Sequence, residues 1–370
     1  MAPSSSRTAA LAAVAVEPRR TELREFPLPE IAPDAGLMRI EAAGVCGSDW
    51  PMYLNAKPGP RILGHEMIGT IERLGDIARA RWGVNEGDVV ALEEYLPCGH
   101  CEYCRTGEYR SCLETDTRLA GSVRYGSTPL AVAPALWGGY SQYLYMHPRT
   151  VVHRVPPGLK MHIAAMALPI GNGFQWAFLD GGAGPGKTVV VQGPGQQGLG
   201  CVIAAKTVGA ELIIVSGLAR DERRMQVARE LGADHTIAVD QADLVAEVTR
   251  ITGGRMADIV IDVSGAGPEI VNPSVALLRK RGVLLAAARK GAVPGFDINQ
   301  VINRQVILRG TRGHSFGAVE LALRTMASNR FPLERMSSHV VGLKDVDEAL
   351  RMTGGETAER SIHITVAPWS

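Results

Sequence analysis

Four mainly apolar runs mark the second half of this chain: TVVVQ at 188–192, ELIIVSG at 211–217, ADIVIDVSG at 257–265 and GVLLAAA at 282–288. Their lack of polar alternation predicts strands buried on both faces, as in a parallel sheet. Stretches of helical spacing separate them, such as LGCVIAAKTVGA at 199–210 and DERRMQVARELG at 221–232. This alternation predicts a doubly wound α/β sheet that binds a ligand at its carboxyl edge. Residues 1 to about 165 read differently. Short apolar runs, many glycines and prolines, and few long helical periods predict a compact β-rich domain. The opening RTAALAAVAVEPRR, 7–20, closes its apolar run at Glu17 and Pro18 like the end of a strand. The alternative there is a weak signal peptide.

Two glycine-rich stretches compete for one phosphate site. GGAGPGKT, 181–188, matches the phosphate-loop pattern G-x-x-x-x-G-K-[ST]. Its context is reversed, because helix-like NGFQWAFLD precedes it and the VVVQ strand follows at once. A phosphate loop must leave a strand and open a helix, so that backbone N–H groups face the phosphates. GPGQQG, 193–198, has that context. Gly193 makes the tight turn, Gly195 lets a pyrophosphate approach the backbone, and Gly198 lets the helix pack on the sheet. With Gln196 and Gln197 they form the candidate cofactor loop. The second strand ends in Ser216 and Gly217 rather than in an acid that would hold a ribose hydroxyl. Arg220, Arg223 and Arg224 follow closely and suit a 2′-phosphate, with Asp221 as the alternative partner for a ribose. NADP is therefore favoured over NAD.

Composition narrows the function by exclusion. A net charge of +1 gives no basic field for nucleic acid, and no run of about 18 apolar residues exists to span a membrane. Cys98, Cys101, Cys104 and Cys112 fall within CGHCEYCRTGEYRSC. Disulfides between such close neighbours would be strained, whereas four thiolates around one tetrahedral zinc need a tight loop of this kind. An iron–sulfur cluster is the rival reading. Either requires reduced thiols and points to the cytoplasm. In the first half, GVCGSDW and LGHEMIG offer Cys46 and His65 as zinc ligands, with Asp49 able to orient the imidazole.

These pieces together resemble the zinc-containing medium-chain alcohol dehydrogenases. GVCGSD, GHE, the four-cysteine lobe, GGYSQY, VVVQGPGQQGLG and the closing GLKDVDEAL carry the resemblance over nearly the whole chain. It implies a chaperonin-10-like catalytic domain at 1–168 and 310–370, with a structural zinc lobe at 95–115. A Rossmann dinucleotide-binding domain is implied at 169–309. It also implies hydride transfer between an alcohol and NAD(P), and a homodimer or homotetramer. Cys46 and His65 would bind a catalytic zinc, Glu66 would be the adjacent carboxylate, and Ser48 would hydrogen-bond the substrate oxygen and relay its proton. His363 stands where the family often carries a basic residue on the cofactor phosphates.

Two departures from the family pattern matter. Asn172, in LPIGNGFQ, occupies the place of a further zinc ligand, and an amide is a poor ligand for zinc. Three arrangements stay open: an amide ligand, Glu66 completing the shell, or no zinc. Pro51 replaces a histidine that passes the proton to solvent in many relatives. The alternative functions are therefore an NAD(P)H-dependent reductase of activated C=C or C=N bonds and an inactive dinucleotide-binding relative. Trp50, Met52 and Tyr53 are expected to border the pocket and suggest an apolar or bulky small-molecule substrate. The Gly-, Ser- and Pro-rich stretch 117–137 is expected to be an exposed loop or lid.

Overall fold

The computed structural model describes residues 7–55, 59–116, 119 and 121–370. The chain divides into two units, Met1–Ala167 with Ser337–Ser370, and Leu168–Met336. The second boundary falls later than the expected 309/310. Helix Phe316–Ala327 explains the shift, because it buries Ala318, Val319, Ala322, Leu323 and Met326 within the second unit. Val319 lies so near Gly171 that a Cβ there would meet it at 3.0 Å.

Among the described residues the first unit is built on two sheets, antiparallel except where Ser337–Val341 runs parallel to His363–Val366. One sheet runs Arg20–Pro27, Ala9–Glu17, Arg61–Ile62. The larger runs Ser337–Val341, His363–Val366, Gly36–Gly44, Glu66–Leu74, Val89–Leu92, Val152–Arg154, with Tyr143–Met146 also paired to Gly36–Gly44. The opening apolar run is a core strand: Ala10, Ala12, Ala13 and Val14 are buried and pair across to Arg20–Pro27. Thr117, Arg118 and Ala120 of the expected lid lie outside the described residues. Of the remainder, Leu119, Gly121 and residues 131–133 are exposed, while the segments on either side of 131–133 are tied down. Tyr125 N–H donates to Glu94 O and Gly126 N–H to Trp137 O, and Tyr125, Leu136 and Trp137 are buried.

The second unit holds six parallel strands in the order His235–Ala238, Leu212–Gly217, Thr188–Gln192, Ala257–Asp262, Leu278–Ala286, Ile307–Gly310. In chain order this is 3-2-1-4-5-6, the doubly wound arrangement with its switch point between the first and fourth strands. Val189, Val190 and Val191 are wholly buried, each worth about 1.5–3 kcal/mol relative to exposure. Helix Gln196–Thr207 is buried almost all round, from Gly198 to Ala205. It crosses helix Ala167–Gly173 closely, since a Cβ on Gly173 would stand 2.2 Å from the Gly200 backbone.

Candidate metal and cofactor sites

Cys46 lies in the turn between strand Gly36–Gly44 and helix Asp49–Leu54, and His65 immediately precedes strand Glu66–Leu74. The wholly buried Asp49 ties both loops together. Its Oδ2 accepts the Cys46 N–H at 3.1 Å and the Tyr140 hydroxyl at 2.7 Å. Its Oδ1 lies 3.1 Å from His65 Nδ1, which leaves Nε2 as the ligand atom. Single ligand atoms of Cys46, His65 and Glu66 all lie within 4.8 Å of one another. Ser48 Oγ sits 3.3 Å from Cys46 Sγ and 3.4 Å from His65 Nε2. Gly44 makes room for Glu66, because a Cβ there would stand 2.2 Å from Glu66 Oε2.

The electrostatics fit a cation. Burial, aided by Glu66, pushes the Cys46 thiol up. Burial likewise pushes Glu66 up to about 8, against the pull of His65. Burial opposes charge on His65, but the carboxylates of Asp49 and Glu94 outweigh it and hold the ring well above its ordinary value. A buried thiol and carboxyl that resist ionising on their own become favourable anions on a divalent ion. Thiolate, imidazole and carboxylate form a three-ligand set for zinc with a fourth position open.

The cysteine lobe fits a single ion as well. Its four sulfurs lie within 4.8 Å of one another, all are free thiols, and Cys101–Cys104 and Cys98–Cys104 are 3.5 and 3.9 Å apart. A zinc–sulfur bond of about 2.3 Å gives a tetrahedral edge of about 3.8 Å. That spacing is too long for a disulfide and too short for bridging irons. Backbone N–H groups of His100 and Cys101 offset the burial of Cys98 and bring it down to about 6. Gly99 and Gly107, at φ +80° and +81°, provide the left-handed turns.

In the second unit the glycine loop joins strand Thr188–Gln192 to helix Gln196–Thr207. Gly193 takes φ +107°, and a Cβ on Gly198 would stand 1.9 Å from Gly193 O. Gly195 faces open space and caps helix Gln196–Thr207. Gln196 is buried, and Gln197 Oε1 accepts from Asn172 Nδ2 at 3.1 Å. Ser216 is buried at the end of its strand, while Arg220 is exposed. Asp221 turns back on its own loop, accepting the Leu218 N–H and pairing with Arg224 at 3.2 Å. The phosphate-loop lookalike sits on a helix-to-strand turn, and its Lys187 pairs with Asp258 at 3.5 Å.

Two expected residues, Asn172 and His363, stand elsewhere than supposed. Asn172 is engaged at both ends of its amide, by Gln197 and by His314 Nδ1 at 2.8 Å, all within the second unit. His363 lies in the first unit against Gly44, and burial drives its ring down to about 3. A wholly buried neutral ring brings no positive charge to a cofactor phosphate. The apolar pocket wall is also displaced. Trp50 packs against Gly354 and under Arg19, and Tyr53 is core beside helix Val346–Thr353, with Met52 partly buried in the same core. These side chains serve packing, so they give no ground for an apolar or bulky substrate.

Other residues carry roles that composition does not signal. Glu94 Oε2 lies 4.0 Å from His65 Nε2, and Arg124 grips the Glu94 carboxylate through Nε at 3.1 Å and through a second nitrogen. Lys290 Nζ meets Asp262 Oδ2 at 3.0 Å, Ser264 O at 2.9 Å and Ala266 O at 2.8 Å, with only 6% and 5% of the two charged side chains exposed. Ser264 abuts the Gly193 turn, 3.0 Å from where its Cβ would stand.

The chain is similar to known proteins along most of its length. The alcohol dehydrogenase GroES-like domain matches residues 32–157, and the zinc-binding dehydrogenase domain matches 198–328. A probable alcohol dehydrogenase of Mycobacterium tuberculosis is 37% identical over 345 residues, covering 92% of this chain and 93% of that one. Sorbitol dehydrogenase of Bacillus subtilis is 32% identical over 279 residues, covering 74% and 73%. The crystal structure of an alcohol dehydrogenase from Thermotoga maritima superposes with a TM-score of 0.84 at 25% identity, over 97% and 99% of the chains.

Proposed function

Because the chain belongs to the zinc-type medium-chain alcohol dehydrogenase family, an oxidoreductase acting between an alcohol and its carbonyl compound with a nicotinamide cofactor, we propose that Cys46, His65 and Glu66 hold its catalytic zinc. The convergence of those three ligand atoms around an Asp49-oriented imidazole carries this reading. When bound, the ion supplies Lewis-acid polarisation of the substrate oxygen. Ser48 Oγ hydrogen-bonds that oxygen and takes its proton. Pro51 carries no titratable group, so the proton leaves Ser48 through water, a cofactor ribose hydroxyl or another side chain. Glu66 rather than Asn172 completes the ligand set, supported by the engagement of the Asn172 amide with His314 and Gln197. The four lobe cysteines hold a second, structural zinc.

Gly193, Gly195 and Gly198, with Gln196 and Gln197, cradle the cofactor pyrophosphate at the helix start. Ser216 and Arg220 receive the adenosine ribose. The exposed Arg220 and Arg223, with Asp221 turned away, support NADP. The lobe's need for reduced thiols supports a cytoplasmic setting. Among the described residues no helix is long and apolar enough to cross a membrane. The free edge strand Ile307–Gly310, with Ile307 56% and Leu308 42% exposed, supports assembly of copies as a homodimer or homotetramer. Reduction of activated C=C or C=N bonds is not favoured, since the named relatives act on alcohols and polyols.

The test is a metal count beside a substrate panel with both cofactors. We expect two zinc ions per chain, one after Cys46→Ser, and oxidation of alcohols with a preference for NADP. One zinc in the unmodified chain, with turnover of enones only, overturns the reading.

A further inference from the structure

Resting on the alcohol oxidoreductase reading, we infer that the Glu94–Arg124 ion pair selects the substrate: an alcohol with a second hydroxyl on the carbon next to the reacting one. Asp49 occupies Nδ1 of His65, so Nε2 marks the side on which substrate oxygen must arrive. Two groups stand at that nitrogen, Ser48 Oγ at 3.4 Å and Glu94 Oε2 at 4.0 Å. Ser48 serves the reacting oxygen, so Glu94 faces what is attached to the neighbouring carbon. The Glu94 carboxylate is not one of the three ligand atoms gathered within 4.8 Å, and it is already gripped by Arg124 through two nitrogens.

The pair is rigidly supported. Its side chains are only 16% and 10% exposed, and the Arg124 guanidinium lies 4.5 Å from the Tyr95 ring centre. The Arg124 N–H donates to Thr128 Oγ1 at 2.9 Å, and the adjacent Gly126 packs onto the His65 loop, where a Cβ would meet Gly64 O at 2.8 Å. The wall beside the ligand nitrogen is therefore charged, fixed and neutral in sum. An alkyl substituent would press against this charged pair and keep water from it without offering a polar group in exchange. A carboxylate substituent would meet the Glu94 charge. A hydroxyl both donates to Glu94 and accepts from Arg124, so it suits the pair in both directions.

The experiment compares kcat/KM for a 1,2-diol, the monoalcohol of equal chain length and the 2-hydroxy acid, in the unmodified chain and in the Glu94→Leu, Arg124→Met double variant. Replacing both charges together avoids stranding one of them in a buried place. The unmodified chain is expected to favour the diol over both others by at least about tenfold, and the double variant to lose that ratio. Zinc content is expected to stay at two ions per chain. An unchanged diol-to-monoalcohol ratio overturns the assignment, as does loss of one zinc, which would make Glu94 a ligand. If the unmodified chain oxidises none of the three with NAD or NADP, the oxidoreductase reading falls with it.

Discussion

Replacing Lys290 by methionine removes a cation and keeps the length of its stem. Asp262, 5% exposed, would then lose the ammonium now 3.0 Å away. Breaking a buried pair from one side costs about 3–5 kcal/mol. For a unit of this size each kcal/mol moves the melting temperature by about 2–4 °C, so a drop of roughly 6–20 °C is expected. The carbonyls of Ser264 and Ala266 lose their donor as well, and Ser264 borders the Gly193 turn. That loop forms one wall of the crevice at the switch point, so NADPH should bind at least about tenfold more weakly, about 1.4 kcal/mol. Calorimetry and fluorescence titration of NADPH read the two effects separately. Asp262→Asn combined with Lys290→Met should recover most of the melting temperature but not the affinity, because the tether of the two carbonyls is still missing. A Lys290→Met protein that melts within about 2 °C of the unmodified one, or binds NADPH unchanged, refutes the reasoning.

Two further outcomes follow from local geometry. Gly195→Ala should leave folding intact, since its φ of −76° suits alanine and the space before it is open, yet raise KM for the cofactor at least about tenfold by blocking the pyrophosphate. Gly198→Ala, whose Cβ would stand 1.9 Å from Gly193 O, should lower both melting temperature and affinity, and the two variants behaving alike would contradict the assignment. His147 is pushed down to about 4 by burial and then by Arg149. The unfolded chain therefore binds its proton first as pH falls, so stability is held above pH 6.5 and lost between about 6.5 and 4. Discounted for partial exposure, the loss is about 1–2 kcal/mol. His147→Gln should flatten that limb of the melting-temperature profile, and an unaltered slope counts against it.

The fold was legible where burial leaves a long mark. The TVVVQ and ADIVID strands, apolar at their centres and buried throughout, announce a sheet covered on both faces, and the glycine spacing at 193–198 reports three distinct steric needs. Strands His235–Ala238 and Ile307–Gly310 escape notice because only Ile237 of one is buried and none of the other. In the candidate site, Cys46 and His65 announce themselves by residue type in glycine-flanked turns. Glu94 and Arg124 do not, because an acid and an arginine thirty positions apart look like surface charge until the chain brings them together. The same holds for Asp262 and Lys290. Trp50 and Tyr53 mislead for the opposite reason, since large aromatics near a ligand turn serve equally well as core. Asn172 shows that position alone does not assign a role, because its neighbours His314 and Gln197 take up its amide.

The interleaving of the two units governs the order in which the protein can be completed. Strand Gly36–Gly44 pairs on one side with Glu66–Leu74, made soon after it, and through Ala43 and Gly44 with Val366 and Thr365, made only after the whole second unit. As the nascent chain leaves the ribosome, Cys46, His65 and Glu66 emerge hundreds of residues before the strand that closes the sheet beside them. The ligand-bearing half must wait, one sheet edge open, until its inserted neighbour has been synthesised, and such long-range closure is slow and exposed to misassembly.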